Sequence, residues 1–118
     1  MAQELSGRVS TLALTSDMAR HASKRHALIA QNVANADTPG YKARDIGTFA
    51  DALKTRAAST DFKTQIYERS DIESPNGNSV SLEDELMRGT QVQNDYNMAI
   101  SIYRSTLQMM KTAVGKNL

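Results

Sequence analysis

His21 and His26 are the side chains of this sequence best suited to metal or proton-transfer chemistry, and their spacing argues against both uses. Five positions apart, they lie about 140° from each other around a helix, off the i, i+4 geometry with which two imidazoles on one face hold a zinc ion. The absence of Cys removes thiolate nucleophiles, thiolate ligands and disulfides. There is no glycine-rich phosphate loop, and Ser, Asp and Glu are scattered rather than grouped as a nucleophile with its base. The reading is therefore a protein that is not an enzyme, with no catalytic residue, metal ligand or cofactor. The segment "ARHASKRH" (19–26) clusters Arg20, Lys24 and Arg25. It carries no interleaved aromatics, and the chain's net charge is only +1, so nucleic acid is not the expected partner. A solvated face, or a contact with an acidic neighbour, accounts better for the cluster.

The surrounding elements point to a thin helical molecule. With 118 residues the length fits one domain. Aromatic content is 5%, without Trp, and the apolar residues are mostly Ala, Leu, Met, Ile and Val, a set that fills narrow helix–helix seams. Charge is unevenly spread: eight Lys/Arg against five acids in residues 1–60, six against eight in 61–118. The two ends could attract each other, or their counterparts in a neighbouring copy. The first twenty residues show no charged n-region followed by an apolar h-region, so no cleavable signal peptide is expected. No run approaches the ~18 apolar residues of a membrane span, and no direct membrane insertion is expected.

The fold class expected is all-α and elongated: a single domain, 1–118, in which long N- and C-terminal helices pair as an antiparallel coiled-coil-like bundle. Residues 1–35 form the first helix, with an apolar stripe that begins Leu5, Val9, Leu12 and resumes at Met18, Ala22, Ile29 and Val33. Residues 81–118 form the second. Its heptad seam runs through Leu82, Leu86, Gly89, Gln93, Tyr96, Ile100, Tyr103, Leu107, Met110 and Val114, weakened at Gly89 and Gln93. Glu83, Asp84 and Glu85 behind Ser81, and Lys111 and Lys116 towards the other end, suit the helix dipole. Residues 36–80 hold an elbow, a short helix within 45–58 capped by Thr48 with Phe49, Leu53 and Ala57 on one face, and an irregular loop in which 61–69 has a weak extended pattern. Met98, Ile102 and Met109 on the second helix, with Leu14 and Leu28 on the first, fall off the seam; a lone subunit would expose them, and a stacked assembly would cover them.

The elbow is "NVANADTPGY" (32–41). Asn32 and Asn35 stand where the first helix should stop, as residues able to take the left-handed conformation. Thr38 is pushed extended by the following proline, Pro39-Gly40 suits a type II turn, and Tyr41 emerges from it as an aromatic anchor at a set angle. The wider stretch "NVANADTPGYKARDI" (32–46), with the tail "NGNSVSLEDELMRGTQVQNDYNMAISIYRSTLQMMKTAVG" (76–115), resembles the flagellar axial proteins, the rod, hook and hook-junction subunits, and most closely the flagellar basal-body rod family of proximal type. That resemblance implies a structural subunit of the bacterial flagellum's basal body. It would be exported unprocessed through the flagellar type III apparatus and stacked helically in the periplasmic rod. The implied partners are homologous rod proteins and its own copies, with the membrane-ring protein and rod adaptor at the base. Another short rod subunit of the same family, or a helical export adaptor or chaperone, is the alternative; an adaptor has no need of the elbow.

Overall fold

The computed structural model describes residues 2–58, 65–69 and 73–115. The side chains of Leu5 and Ala57, together with Lys116 and residues 59–64 and 70–72 of the middle segment, lie outside the described residues. In chain order the elements are α1 (Ala2–Ala34), β1 (Ala43–Asp45), α2 (Phe49–Ala58), β2 (Tyr67–Arg69) and α3 (Leu82–Gly115). The molecule measures 67 × 27 × 14 Å. Its long dimension follows from α1 and α3, whose 33 and 34 residues contain no proline and much Ala, Leu, Met, Gln and Glu. Each helix is about 50 Å long.

The two helices pack antiparallel, as expected, along a strict heptad line. On α1 that line is Thr15, Ala22 and Ile29; on α3 it is Glu85, Val92, Ala99 and Thr106. Ala22, Ile29 and Val92 form the apolar centre, and Ala99 is 0% exposed. Ala22 and Ala99 are the small side chains on this line and let the backbones come near each other there, while larger residues flank the seam. The sequence-predicted seam ran partly one residue later. Of its members, Gly89, Ile100, Tyr103, Leu107 and Met110 are half-buried, whereas Leu82, Leu86, Gln93, Tyr96 and Val114 are exposed. Leu12 and Met18 of α1 are half-buried, and Val9 and Val33 are exposed.

Gly89 interrupts the apolar pattern without being required by space. A methyl group there would find only Ile29 Cγ2, at 4.0 Å, and glycine inside a helix costs roughly 0.5–1 kcal/mol relative to alanine. Gly89→Ala is expected to stabilise the isolated chain by about that amount, read as a higher urea midpoint. A lower midpoint would mean that the helices are closer at this turn than the structure has them.

A second face of α1, carrying His21, Arg25, Leu28 and Asn32, is buried under the middle segment. Leu28, expected among the exposed off-seam residues, is therefore only 7% exposed. Where an elbow and a loop with a weak extended pattern over 61–69 were expected, β1 and β2, the latter inside that stretch, form a two-stranded antiparallel ribbon pairing Ala43 with Arg69, Arg44 with Glu68 and Asp45 with Tyr67. The short helix α2 begins as its sequence indicates: the Asp51 backbone N–H donates to Thr48 Oγ1 at 3.2 Å.

Candidate assembly site

The elbow is held from both sides. The chain leaves α1 through Asn35, whose N–H donates to Asn32 O at 3.2 Å and whose side-chain amide donates to Gln31 O at 2.8 Å. No non-glycine residue among those described has positive φ, so Asn32 and Asn35 do not stop the helix by the left-handed route expected of them. Gly40 takes that conformation instead, with φ 76°, and the Tyr41 N–H closes the Thr38-Pro39-Gly40-Tyr41 turn on Thr38 O at 3.2 Å.

Asn32 is 0% exposed and works as a substitute strand. Its Nδ2 donates to Arg44 O at 2.9 Å, and its Oδ1 accepts from the Arg44 N–H at 3.0 Å, satisfying the backbone pair that a third strand would have taken. The same Oδ1 accepts from the Tyr41 hydroxyl at 3.1 Å. Tyr41 is thus half-buried and folded back onto α1 rather than projecting freely. From the other side, the Asn78 side-chain amide donates to Asn35 O at 2.9 Å and Thr38 O at 2.7 Å, while the Ser79 hydroxyl accepts from the Ala43 N–H at 2.8 Å and donates to Arg69 O. Gly40 N donates to Asn76 O at 3.0 Å. These bonds fasten the end of α1 to the start of α3. Thr38, Pro39 and Gly40 remain exposed at the tip.

Two buried ion pairs complete the frame. Arg25 donates through Nε to Asp45 Oδ1 at 3.0 Å and through Nη2 to Asp45 Oδ2 at 3.2 Å, with both side chains nearly sealed from solvent. Burial pushes the Asp45 carboxyl up, but the Arg25 guanidinium and the N–H groups of Ile46 and Gly47 outweigh it and hold the group below the usual carboxylate range. Glu85, 0% exposed, pairs with Arg69 and lies 3.8 Å from Arg88. His21, packed against the Phe49 ring at 5.5 Å, is buried with no partner for Nε2 among the described residues; burial first, then the Arg25 charge, lowers its pKa below the ordinary value.

On the side of the hairpin away from the ribbon, a groove runs between α1 and α3. It opens into hollows beside Thr15, Ala19, Ile100 and Tyr103 (about 530 Å³), beside Ala22, Val92 and Tyr96 (about 220 Å³), and beside Ile29, Val33, Leu86 and Gly89 (about 400 Å³). Further round α3, Met87, Met98, Ile102 and Met109 are exposed. Among the described residues, no three His, Cys, Asp or Glu side chains are grouped to hold a metal ion, and no helix is long and apolar enough to cross a membrane.

Of the basic cluster, Arg20 and Lys24 are exposed as a solvated face would be, but Arg25 is not. Its pairing with Asp45, twenty residues on, was hidden because sequence spacing carries no information about a contact made across the elbow. Asn78 and Ser79 were likewise unmarked, and Glu85 was read only as a first-turn acid suiting the helix dipole; its polar side chain at a heptad position was the one available signal of its burial.

Comparison with known proteins gives the family. A family model described as "Flagella basal body rod protein" matches residues 20–42, the stretch that carries Arg25, Asn32 and the turn. The "Flagellar basal body rod protein FlgB" of Salmonella typhimurium is 30% identical over 120 aligned residues, covering 80% of this chain and 86% of that protein. The protein of the same description from Proteus mirabilis is 54% identical over 33 residues, 28% of this chain and 24% of its own. On the extent of the Salmonella match and the local match at the elbow, the chain belongs to the FlgB family of flagellar basal body rod proteins.

Proposed function

We propose that this chain is a structural subunit of the proximal rod of the bacterial flagellum, assembling helically with its own copies and with homologous axial proteins. The membrane-ring protein and the rod adaptor are its neighbours at the base. It reaches the periplasm by the flagellar export route without cleavage. Its biochemistry is association: Leu82, Leu86, Tyr96, Ile100, Tyr103, Leu107, Met110 and Val114, with Leu5, Val9 and Leu12, supply apolar edge, and Asn32, Asn35, Thr38, Pro39, Gly40 and Tyr41 set the elbow.

The observation that carries the reading is exposure. A hairpin only 14 Å thick leaves Leu86 69%, Val114 57% and Met109 52% exposed. Apolar surface gains roughly 25 cal/mol per Å² when covered, and neighbouring subunits are what would cover it.

The test is recovery of the chain from purified basal bodies, with a mass equal to that of the unprocessed sequence. Ile100→Asp, which replaces apolar contact area in the groove with a carboxylate that a neighbouring subunit would have to desolvate, should abolish its incorporation and swimming, at a cost of several kcal/mol. Absence of the unaltered chain from basal bodies would end the proposal, and normal swimming of the variant would remove Ile100 from the contact surface.

A further inference from the structure

Met87, Met98 and Met109 stand eleven residues apart on α3, each at least half exposed. Eleven residues are close to three helical turns, so the three side chains form a nearly straight ridge with about 16 Å between neighbours. The hollow beside Ile100 and Tyr103 and the hollow beside Leu86 and Gly89 are lined by α3 residues centred roughly ten positions apart, hence about 15 Å. The spacing of the ridge matches that of these two outer hollows, with the smaller hollow beside Val92 and Tyr96 lying between them.

Charge matches as well. Asp84 and Asp95 each precede a ridge methionine by three residues, the neighbouring position on a helix. Arg20 and Lys24 line the first hollow and are exposed. A methionine seated there would bring the acid of its own helix up to these cations. The thioether side chain, unbranched and polarizable, adapts to an irregular hollow of this kind.

We infer that the methionine ridge of α3 on one copy docks into the α1–α3 groove of a second copy of this chain. This inference rests on the reading of the chain as a rod subunit and names the surfaces that join like to like. Ridge and groove occupy different faces of one subunit, so the contact is heterologous and propagates from copy to copy instead of closing into a symmetric pair.

The chain has no cysteine of its own, so paired cysteines report the contact cleanly. In oxidised basal bodies, Met98→Cys combined with Ser23→Cys, or with Ala19→Cys, is expected to give a ladder of covalent dimers and higher multimers, and each single variant only monomer. Dimers from Met98→Cys alone would show ridge meeting ridge and overturn the inference. So would the absence of a ladder from both pairs in cells that swim, while leaving the rod-subunit reading intact. If a cysteine pair itself prevents assembly, charge exchange decides. Lys24→Glu should reduce the chain recovered in basal bodies by about tenfold, the equivalent of about 1.4 kcal/mol, and Asp95→Lys in the same chain should restore it. A double variant no better than Lys24→Glu alone would overturn the contact.

Discussion

Asp45→Ala is expected to destabilise the folded chain by about 3–5 kcal/mol, because it leaves the Arg25 guanidinium buried without its counter-charge. Both charges are almost excluded from water, and the two hydrogen bonds are made in parallel by a planar fork. The Asp45 carboxylate also accepts from the Ile46 N–H at 2.7 Å, so its loss frees the strand exit as well as the arginine. Removing both charges together, as Arg25→Met with Asp45→Leu, should recover much of the loss, since an apolar pair of similar volume carries no desolvation penalty. Urea unfolding of the purified chain measures all three. A loss below about 1 kcal/mol for the single variant would mean that water reaches Arg25.

The same pair gives stability an acid limb with a definite sign. Asp45 is held ionised in the folded state below its unfolded value of about 3.9. Its contribution is therefore complete above pH 4 and is lost as the pH falls through the lower, folded value. His21 acts earlier. Its folded pKa lies below the ordinary 6.5, so the unfolded chain takes up a proton first, and stability declines as the pH drops from about 6.5 to the folded value. A chain carrying His21→Gln should keep the lower limb and lose the upper one.

Asn32→Ala should cost about 3 kcal/mol, from three polar groups left without partners at roughly 1–3 kcal/mol each before relaxation. The groups are the N–H and the C=O of Arg44 and the hydroxyl of Tyr41. Asn32→Asp is the sharper variant. It keeps the acceptor but replaces the donor with an anion facing the Arg44 carbonyl, so it should do no better than alanine. The unfolding midpoint of the purified protein decides this. A neutral aspartate would show that the strand is held by β2 alone, and that the asparagine's place in the motif has another cause.

Long-range periodicity made both long helices legible, and Thr48 marked the start of α2 through a capping bond that sequence rules describe well. The strand pairing was not legible beyond the weak extended pattern of 61–69, because each strand has only three residues, and the pairing joins positions 22 to 26 residues apart. Strands that short carry almost no alternation to detect. The seam was read towards the larger apolar residues, Leu86 and Ile100, whereas the closest contact uses their smaller or unexpected neighbours, Glu85 and Ala99. Hydrophobicity locates a greasy side of a helix; steric size decides which line of it comes nearest the partner. At the elbow the turn chemistry of Pro39-Gly40 was plain in the residues, but the task of Asn32 was not. Nothing in the sequence says that an amide near the end of a helix will face the backbone of residue 44.

The narrowest dimension of the subunit is little more than the diameter of one helix with its side chains, about 10–12 Å. A shaft built from such laminae has no thick interior in any single piece to resist torsion. In the assembly proposed above, rigidity under rotation would then arise at the edges where plates overlap, which would make drive-shaft stiffness a collective property. A variant could fold perfectly by itself and still yield a motor that twists under load.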